Sequence, residues 1–393
     1  MYQKKYSSNP NLSTHKELIL AITLTSGELP ADVRRTLNRI FSENQIKNDI
    51  RDLNDAGFIQ KLNKDGMRGI CLTEQGAEYF ATKYPDKYDH TLFISSDTHK
   101  YEPSTRKRRR QCARVLLMLY LNGVEISDRS ADASRLLHGI SVAINKPFFV
   151  PSRTLNRCHP RLLTAYGSRY FGAVFSADAI TLVYAPNVSF NLYTTSEERL
   201  KSSFSAIVSS SAAQQYNHPN SLRYLYCFQN DDDVVDSFCS VGKSNNRTPN
   251  TVRWFKTNYI KDSFIICNSS PCSLSCDFLE KVNREKIDQT FRECYGIRPI
   301  NIQNIRNMYI DGLYHETDIP CYMVWNLSPS AIVMAMEYIR SEIFPRNGMV
   351  YFLCFDEQEK LIMRIFGETC RSASQQIAIC SLSYAEVKAY INY

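Results

Sequence analysis

Residues Ser42 to Gly76, SENQIKNDIRDLNDAGFIQKLNKDGMRGICLTEQG, decide the fold of the N-terminal part of the chain. Ser42 is a residue type that caps helix N-termini, because its hydroxyl accepts from an otherwise orphaned amide. Glu43, Asn44 and Gln45 fill the turn that follows, and Ile46, Ile50 and Leu53 recur at i, i+4, i+7. That spacing predicts a helix over Glu43–Ala56 with one apolar face. Gly57 can take the positive φ that ends it. Phe58 to Leu62 alternates with period two, the turn Asn63–Gly66 ends in Asp-Gly, and Met67 to Leu72 returns. Asp-Gly between alternating runs is a strong hairpin signal. Thr73 then caps a further helix, Glu74 to Tyr84, stopped by Pro85.

Upstream, Thr14 is the expected cap of a helix with Leu18, Ile19, Ile22 and Thr23 inward, broken at Gly27. Pro30 suits the first turn of a second helix, with Val33 and Leu37 inward and Arg34 and Arg35 outward. The order helix, helix, helix, hairpin, helix over residues 13–85 predicts a winged helix-turn-helix domain after a disordered N-terminus, 1–12. The Glu43–Ala56 helix is then the DNA-reading element. Asn44, Gln45, Lys47, Asn48 and Arg51 project away from its apolar stripe, and these types hydrogen-bond base edges and phosphates. Arg34, Arg35 and Arg39 are expected at phosphates, with Lys61, Lys64 and Arg68 following the adjacent groove. Glu43, Asp49, Asp52 and Asp55 weigh on the other side, toward a protein-binding or structural role.

The stretch resembles the recognition helix and wing of bacterial winged-helix regulators, whose signature is L-x-x-x-G-[FLI]-[IV], a hairpin, then L-T-x-x-G. Here it runs Leu53-Asn54-Asp55-Ala56-Gly57-Phe58-Ile59 and Leu72-Thr73-Glu74-Gln75-Gly76. More distantly, Gly167-Ser168-Arg169-Tyr170-Phe171-Gly172-Ala173-Val174-Phe175, Tyr184 and Tyr351-Phe352-Leu353-Cys354-Phe355-Asp356 resemble winged-helix proteins of Gram-positive plasmids and conjugative elements, including replication-relaxation proteins. The resemblance implies gene control, replication or transfer of a mobile element, with double-stranded DNA as partner.

Charge is placed unevenly. The net charge is +7, and residues 1–110 hold 19 Lys/Arg against 14 Asp/Glu, a balance of +5. Residues 86–111 read as a polar linker ending in Arg106-Lys107-Arg108-Arg109-Arg110, expected as a phosphate-tracking arm. A helical connector, 112–144, follows, with Val115, Leu116, Leu119 and Tyr120 available for packing. From 145 to 393 strands alternate with helices, as in an α/β domain with a mixed or mostly parallel sheet. The strands expected are Tyr170–Phe175, Ala179–Tyr184, Leu222–Phe228, Phe264–Cys267, Cys321–Trp325 and Met349–Phe355; the helices are Ser196–Gln215, Cys276–Cys294, Ser328–Ile343 and Ser383–Tyr390. No internal sequence repeat is visible. The whole is an α+β and α/β multidomain chain, with sensing, oligomerisation or partner binding expected of its C-terminal part.

Catalytic chemistry finds little support. No G-x-x-x-x-G-K-[ST], G-x-S-x-G or H-E-x-x-H occurs. Asp178, Asp277, Glu280 with Lys281, Asp356 and Glu359 with Lys360 could serve a metal-dependent nuclease. None forms the acid, one-residue gap, Lys arrangement on a strand that such enzymes use. Asp231-Asp232-Asp233 reads better as a helix N-terminus. Cys267, Cys272, Cys276 and Cys294 lack paired C-x2-C spacing, so neither metal nor cofactor is expected. The alternatives left open are that nuclease and an accessory or anti-defence protein that binds a protein partner through its C-terminal part. A homodimer is expected, through Cys112–Leu121 or the C-terminal part. The start of the chain lacks a signal peptide's apolar core, and no stretch nears the roughly 18 to 20 apolar residues of a membrane span. A cytoplasmic protein without a membrane partner is therefore expected.

Overall fold

A computed structural model describes residues 12–38, 41–83, 102–126, 129–159, 162, 168–185, 194–209, 219–239, 263–267, 284–300, 310–345, 347–370 and 376–391. The chain is α+β and divides into two compact units. The first comprises residues 1–134 and 146–158, the second 135–145 and 159–393.

In the first unit, α1 (Thr14–Ser26) is capped by Ser13, whose hydroxyl accepts from Lys16 N, so the cap lies one residue before the expected Thr14. Gly27 ends the helix at φ 88°. Pro30 does not start a helix. Leu29–Pro30 form a short strand, β1, followed by a 3-10 turn at Ala31–Val33 and a single helical turn, α2 (Arg34–Leu37). Proline is tolerated there because an edge strand loses nothing by lacking one outward N–H. Helix α3 (Glu43–Asp55) is capped by Ser42, which accepts from Gln45 N at 3.2 Å. Ile46, Asp49, Ile50 and Leu53 form its buried face.

Strands β2 (Ile59–Lys64) and β3 (Met67–Leu72) form the hairpin, with Ile59 opposite Leu72 and Lys64 opposite Met67. Asp65 (φ 53°) and Gly66 (φ 70°) are both left-handed, the turn whose twist suits a two-residue hairpin loop. β1 pairs antiparallel with β3 on its other side, through Leu29 with Ile70 and Pro30 with Gly69, giving the sheet order β1-β3-β2. Helix α4 (Glu74–Lys83) follows.

The expectation of a linker through residue 111 and a connector beginning at 112 is overturned from Pro103 onward. Residues Pro103–Leu121 are one 19-residue helix, α5, with proline in its first turn and Ala113 and Val115–Leu119 buried. Helix α6 (Ser130–Leu137) spans the division between the units. The first unit is completed by β4 (Phe148–Pro151), bridged to Glu125, and α7 (Ser152–Cys158). It therefore reclaims residues that were expected in the C-terminal domain.

The second unit contains β5 (Gly172–Phe175), β6 (Ala179–Tyr184), α8 (Thr194–Val208), β7 (Ser221–Phe228), α9 (Asp231–Cys239) and β8 (Ser263–Cys267). These are followed by α10 (Arg284–Tyr295), β9 (Ile297–Arg298), β10 (Gly312–Tyr314), β11 (Pro320–Met323), α11 (Pro329–Arg340), β12 (Val350–Phe355), α12 (Glu359–Thr369), β13 (Ile377–Leu382) and α13 (Tyr384–Ile391). Asp231 to Asp233 do open a helix, as their run suggested, with Asn230 Oδ1 accepting from Asp233 N at 2.8 Å. Every residue of β6 is buried, as expected of a strand covered on both faces.

The unit repeats one topology. An antiparallel hairpin, β5–β6, leads into parallel β7 and β8; an antiparallel hairpin, β10–β11, leads into parallel β12 and β13. A helix stands between each successive pair of parallel strands. The strands of each set are adjacent in sequence order, β5-β6-β7-β8 and β9-β10-β11-β12-β13. The absence of a sequence repeat thus conceals a repeated fold. In the second set Ile287, Phe291, Cys321, Trp325, Leu353, Phe355 and Val387 form one core, and Trp325 Nε1 donates to Asp288 at 2.7 Å.

Candidate nucleic-acid interface

Helix α3 presents a polar exposed face. Asn44, Lys47, Asn48 and Arg51 are exposed, Arg51 with 68% of its side chain accessible. The acidic residues on the same helix are each accounted for differently. Glu43 binds Lys47 at 2.7 Å, and Asp52 binds Lys16 of α1 at 2.8 Å. Both carboxyls are held below their ordinary pKa, Glu43 by the hydrogen bond and charge of Lys47 and Asp52 by those of Lys16. Asp49 is only 1% exposed: it accepts from Gln45 Nε2 at 2.9 Å, with His15 Nδ1 at 3.8 Å. Asp55 is exposed. Burying Asp49 and pairing two other acids leave an outer face less acidic than the sequence alone suggests. Gln45 is correspondingly half-buried and turned toward Asp49, which corrects its expected place among outward base readers.

The hairpin presents Lys61, Lys64 and Arg68, all exposed. Because Asn63 lies opposite Arg68 and Lys61 opposite Ile70, Lys61 and Arg68 share one face of the ribbon. The junction between hairpin and helices is built by the signature residues. Thr73 Oγ1 donates to the Gly57 carbonyl at 2.6 Å and accepts from Gly76 N at 3.1 Å, while Thr73 N donates to the Phe58 carbonyl at 3.0 Å. A Cβ on Gly76 would stand 2.1 Å from the Phe58 oxygen, so only glycine fits. The two halves of the signature are thus one contact, which ties the end of α3 to the start of α4.

Arg34 and Arg35 lie on α2, with side chains outside the described part of the structure, as is the whole of Arg39. The Arg106–Arg110 run requires correction. Arg106 is fully buried and donates through Nε and Nη2 to both oxygens of Glu28, at 2.9 and 2.7 Å. Its guanidinium also reaches the carbonyls of Lys64, Leu62 and Met67, at 2.6, 3.3 and 3.1 Å. Arg110 donates to Glu28 at 3.0 Å and to the Arg68 carbonyl at 2.8 Å. Arg109 is half-buried, its side chain against Gly27. Neither Arg106 nor Arg110 is a phosphate-tracking arm; Lys107 and Arg108 alone of the five are exposed.

Glu28, itself buried, is the residue that sequence reasoning missed. A signal did exist in α5. Arg106, Arg110, Ala113 and Leu117 fall at i, i+4, i+7, i+11, so the two arginines continue the helix's buried stripe. Removing one partner of such a buried pair costs about 3–5 kcal/mol, because the remaining charge is left without compensation.

In the second unit, Asp178 pairs with Arg223 at 2.6 Å, and Glu359 accepts from Ser381 at 2.5 Å. Asp277, Glu280, Lys281, Cys272 and Cys276 lie outside the described residues. Among the described residues no three His, Cys, Asp or Glu side chains converge as metal ligands, and no helix is long and apolar enough to cross a membrane. Glu197 is a buried acid, accepting from Ser168 Oγ and Arg169 N at 2.6 Å each and from Tyr184 OH at 2.7 Å. Burial raises its pKa against those three donors. The cluster pins residues 168–170 to α8.

The chain matches no family model, no curated protein and no solved structure.

Proposed function

We propose that the first unit is a winged helix-turn-helix that binds double-stranded DNA, with α3 in the major groove and the β2–β3 hairpin as the wing. The observation carrying this reading is the exposed face of α3, where Asn44, Lys47, Asn48 and Arg51 stand outward while Asp49 is withdrawn and Glu43 and Asp52 are paired. A recognition helix needs this division between an apolar inner face and an outer face of base- and phosphate-bonding groups. The short strand β1 adds support, since it seats the hairpin against the helices. Lys61, Lys64 and Arg68 on the wing, with Lys107 and Arg108 on α5, serve as phosphate contacts. Arg51 reads a base, and guanine is the base its fork matches. Such a protein acts in transcriptional control, or in the replication or transfer of a mobile element, and the second unit supplies partner binding or assembly.

The test is binding of the full chain to duplexes from its own genomic neighbourhood and to random duplex, across a salt series. One fragment should bind preferentially, with log K falling by about 0.9 per phosphate contact for each decade of salt. Arg51→Ala should weaken that fragment about 10- to 100-fold while leaving random duplex nearly unchanged. Equal losses on both would make Arg51 a phosphate contact. No duplex binding at low salt would overturn the proposal.

A further inference from the structure

The tip of the hairpin is held by a residue from a distant part of the chain. β1 pairs with Gly69 and Ile70, the residues opposite Leu62 and Lys61, so residues 63–68 run past its end as a two-stranded ribbon. A ribbon of two strands is marginal in water without further packing. Three carbonyls, that of Leu62 at its base and those of Lys64 and Met67 beside its turn, face one guanidinium, that of Arg106. They bracket the Asp65-Gly66 turn on both sides. Arg106 lies about forty residues away in sequence, on α5, and Glu28 neutralises it at the root of β1. Arg110, one helical turn on, adds a bond to the Arg68 carbonyl and a second cation on Glu28. The planar fork of an arginine can satisfy a carboxylate and several carbonyls together; a lysine ammonium has only three donors.

We infer that Arg106 is the positioning residue of the wing: it touches no DNA, and it fixes where Lys61, Lys64 and Arg68 stand relative to α3. This rests on the DNA-binding reading of the first unit. Arg106 acts through the hairpin backbone, so its influence on binding passes entirely through the wing cations. Loss of Arg106 and loss of those cations should therefore not add.

The experiment uses the full chain in four forms: unaltered, Arg106→Met/Glu28→Gln, the wing variant Lys61→Ala/Lys64→Ala/Arg68→Ala, and the two combined. Glu28→Gln leaves no buried carboxylate short of a partner. Amide exchange without DNA is read first, and protection over residues 61–68 should fall at least tenfold on losing Arg106 while α1 and α3 keep theirs. On duplex DNA, the Arg106 form and the wing form should each flatten the salt slope by roughly 2 to 3, and the combined form should match the wing form. Additive losses would overturn the inference, because Arg106 would then act elsewhere. So would unchanged exchange at 61–68, or an equal rise at α1 and α3, which would make Arg106 a general support of the unit. Arg106→Lys serves if the double variant fails to fold: intermediate protection at the wing alone is expected, and full protection would overturn the inference. If the unaltered chain binds no duplex, the functional proposal falls and the positioning role in DNA binding falls with it. The exchange result then still decides separately whether Arg106 holds the hairpin.

Discussion

Replacing Gly76 by alanine tests the junction on which the first unit is built. The added Cβ would sit 2.1 Å from the Phe58 oxygen, 2.9 Å from its carbonyl carbon and 3.1 Å from its Cα. A carbon–oxygen contact relaxes to roughly 3.3 Å, so the two backbones must part by about 1.2 Å. No flexible side chain can absorb this, since all three atoms are main chain. Overpacking of this kind costs about 1–3 kcal/mol, and the movement also stretches the Thr73 bonds to Gly57, Gly76 and Phe58, each worth about 1 kcal/mol. A total loss of about 3–5 kcal/mol would leave the unit near the limit of typical domain stability. Both tryptophans, Trp254 and Trp325, lie outside the residues of the first unit, so tryptophan fluorescence would not report its unfolding. Amide exchange of α3, α4 and the hairpin in increasing urea would. Gly66→Ala is the control: it meets nothing within 4 Å and carries only the strain of φ +70°, about 1 kcal/mol. Should Gly76→Ala stay within 1 kcal/mol of the unaltered protein, or cost no more than Gly66→Ala, the close approach at Phe58 would not be what this glycine serves.

Two further outcomes concern the second unit, where Trp325 gives a fluorescence signal. Burial holds the Glu197 carboxyl above its ordinary 4.5, so the folded chain retains a proton that the unfolded chain releases. Stability should therefore rise as pH falls through the raised value toward 4.5, and decline as pH climbs through it. Glu197→Gln should abolish that slope, and a urea-midpoint difference between the two proteins that is equal at pH 7 and pH 5 would contradict the assignment. Gly367 lies within α12 at ordinary φ with open space around it, so Gly367→Ala should stabilise by about 0.5–1 kcal/mol. A lowered urea midpoint would show a contact there instead.

Local signals were read well where the physics is local. The Ser42 cap, the Ile46/Ile50/Leu53 stripe and the Asp65-Gly66 turn each involve residues within a few positions of one another, and the structure keeps them all. The strand at Leu29–Pro30 was misread because two residues carry no period, and a proline there looks like a helix start. The repeated topology of the second unit was invisible for another reason. Buried parallel strands demand only apolar residues, so Ala179–Tyr184 and Pro320–Met323 perform the same topological task with no shared pattern. The acidic count on α3 overstates its exposed negative charge, because sequence does not show that Asp49 is buried or that Lys16 lies beside Asp52.

The Arg106–Arg110 run shows where composition and periodicity conflict. Five adjacent cations read by composition make a solvated, anion-seeking segment. Read at 3.6 residues per turn, the same five divide: Arg106 and Arg110 extend the stripe of Ala113 and Leu117, Arg109 lies half-buried against Gly27, and Lys107 and Arg108 face outward. A buried arginine needs a partner for its charge, and the acid that supplies it, Glu28, lies 78 positions away. That single acid, set between Gly27 and the strand Leu29–Pro30, gives no motif of its own. The pair converts what looked like an arm into the support of the hairpin, and of the five cations in the run only Lys107 and Arg108 are exposed. The phosphate contacts expected of this helix fall accordingly, so if the first unit binds DNA as proposed, the salt slope should reflect the hairpin and α3 more than the arginine run.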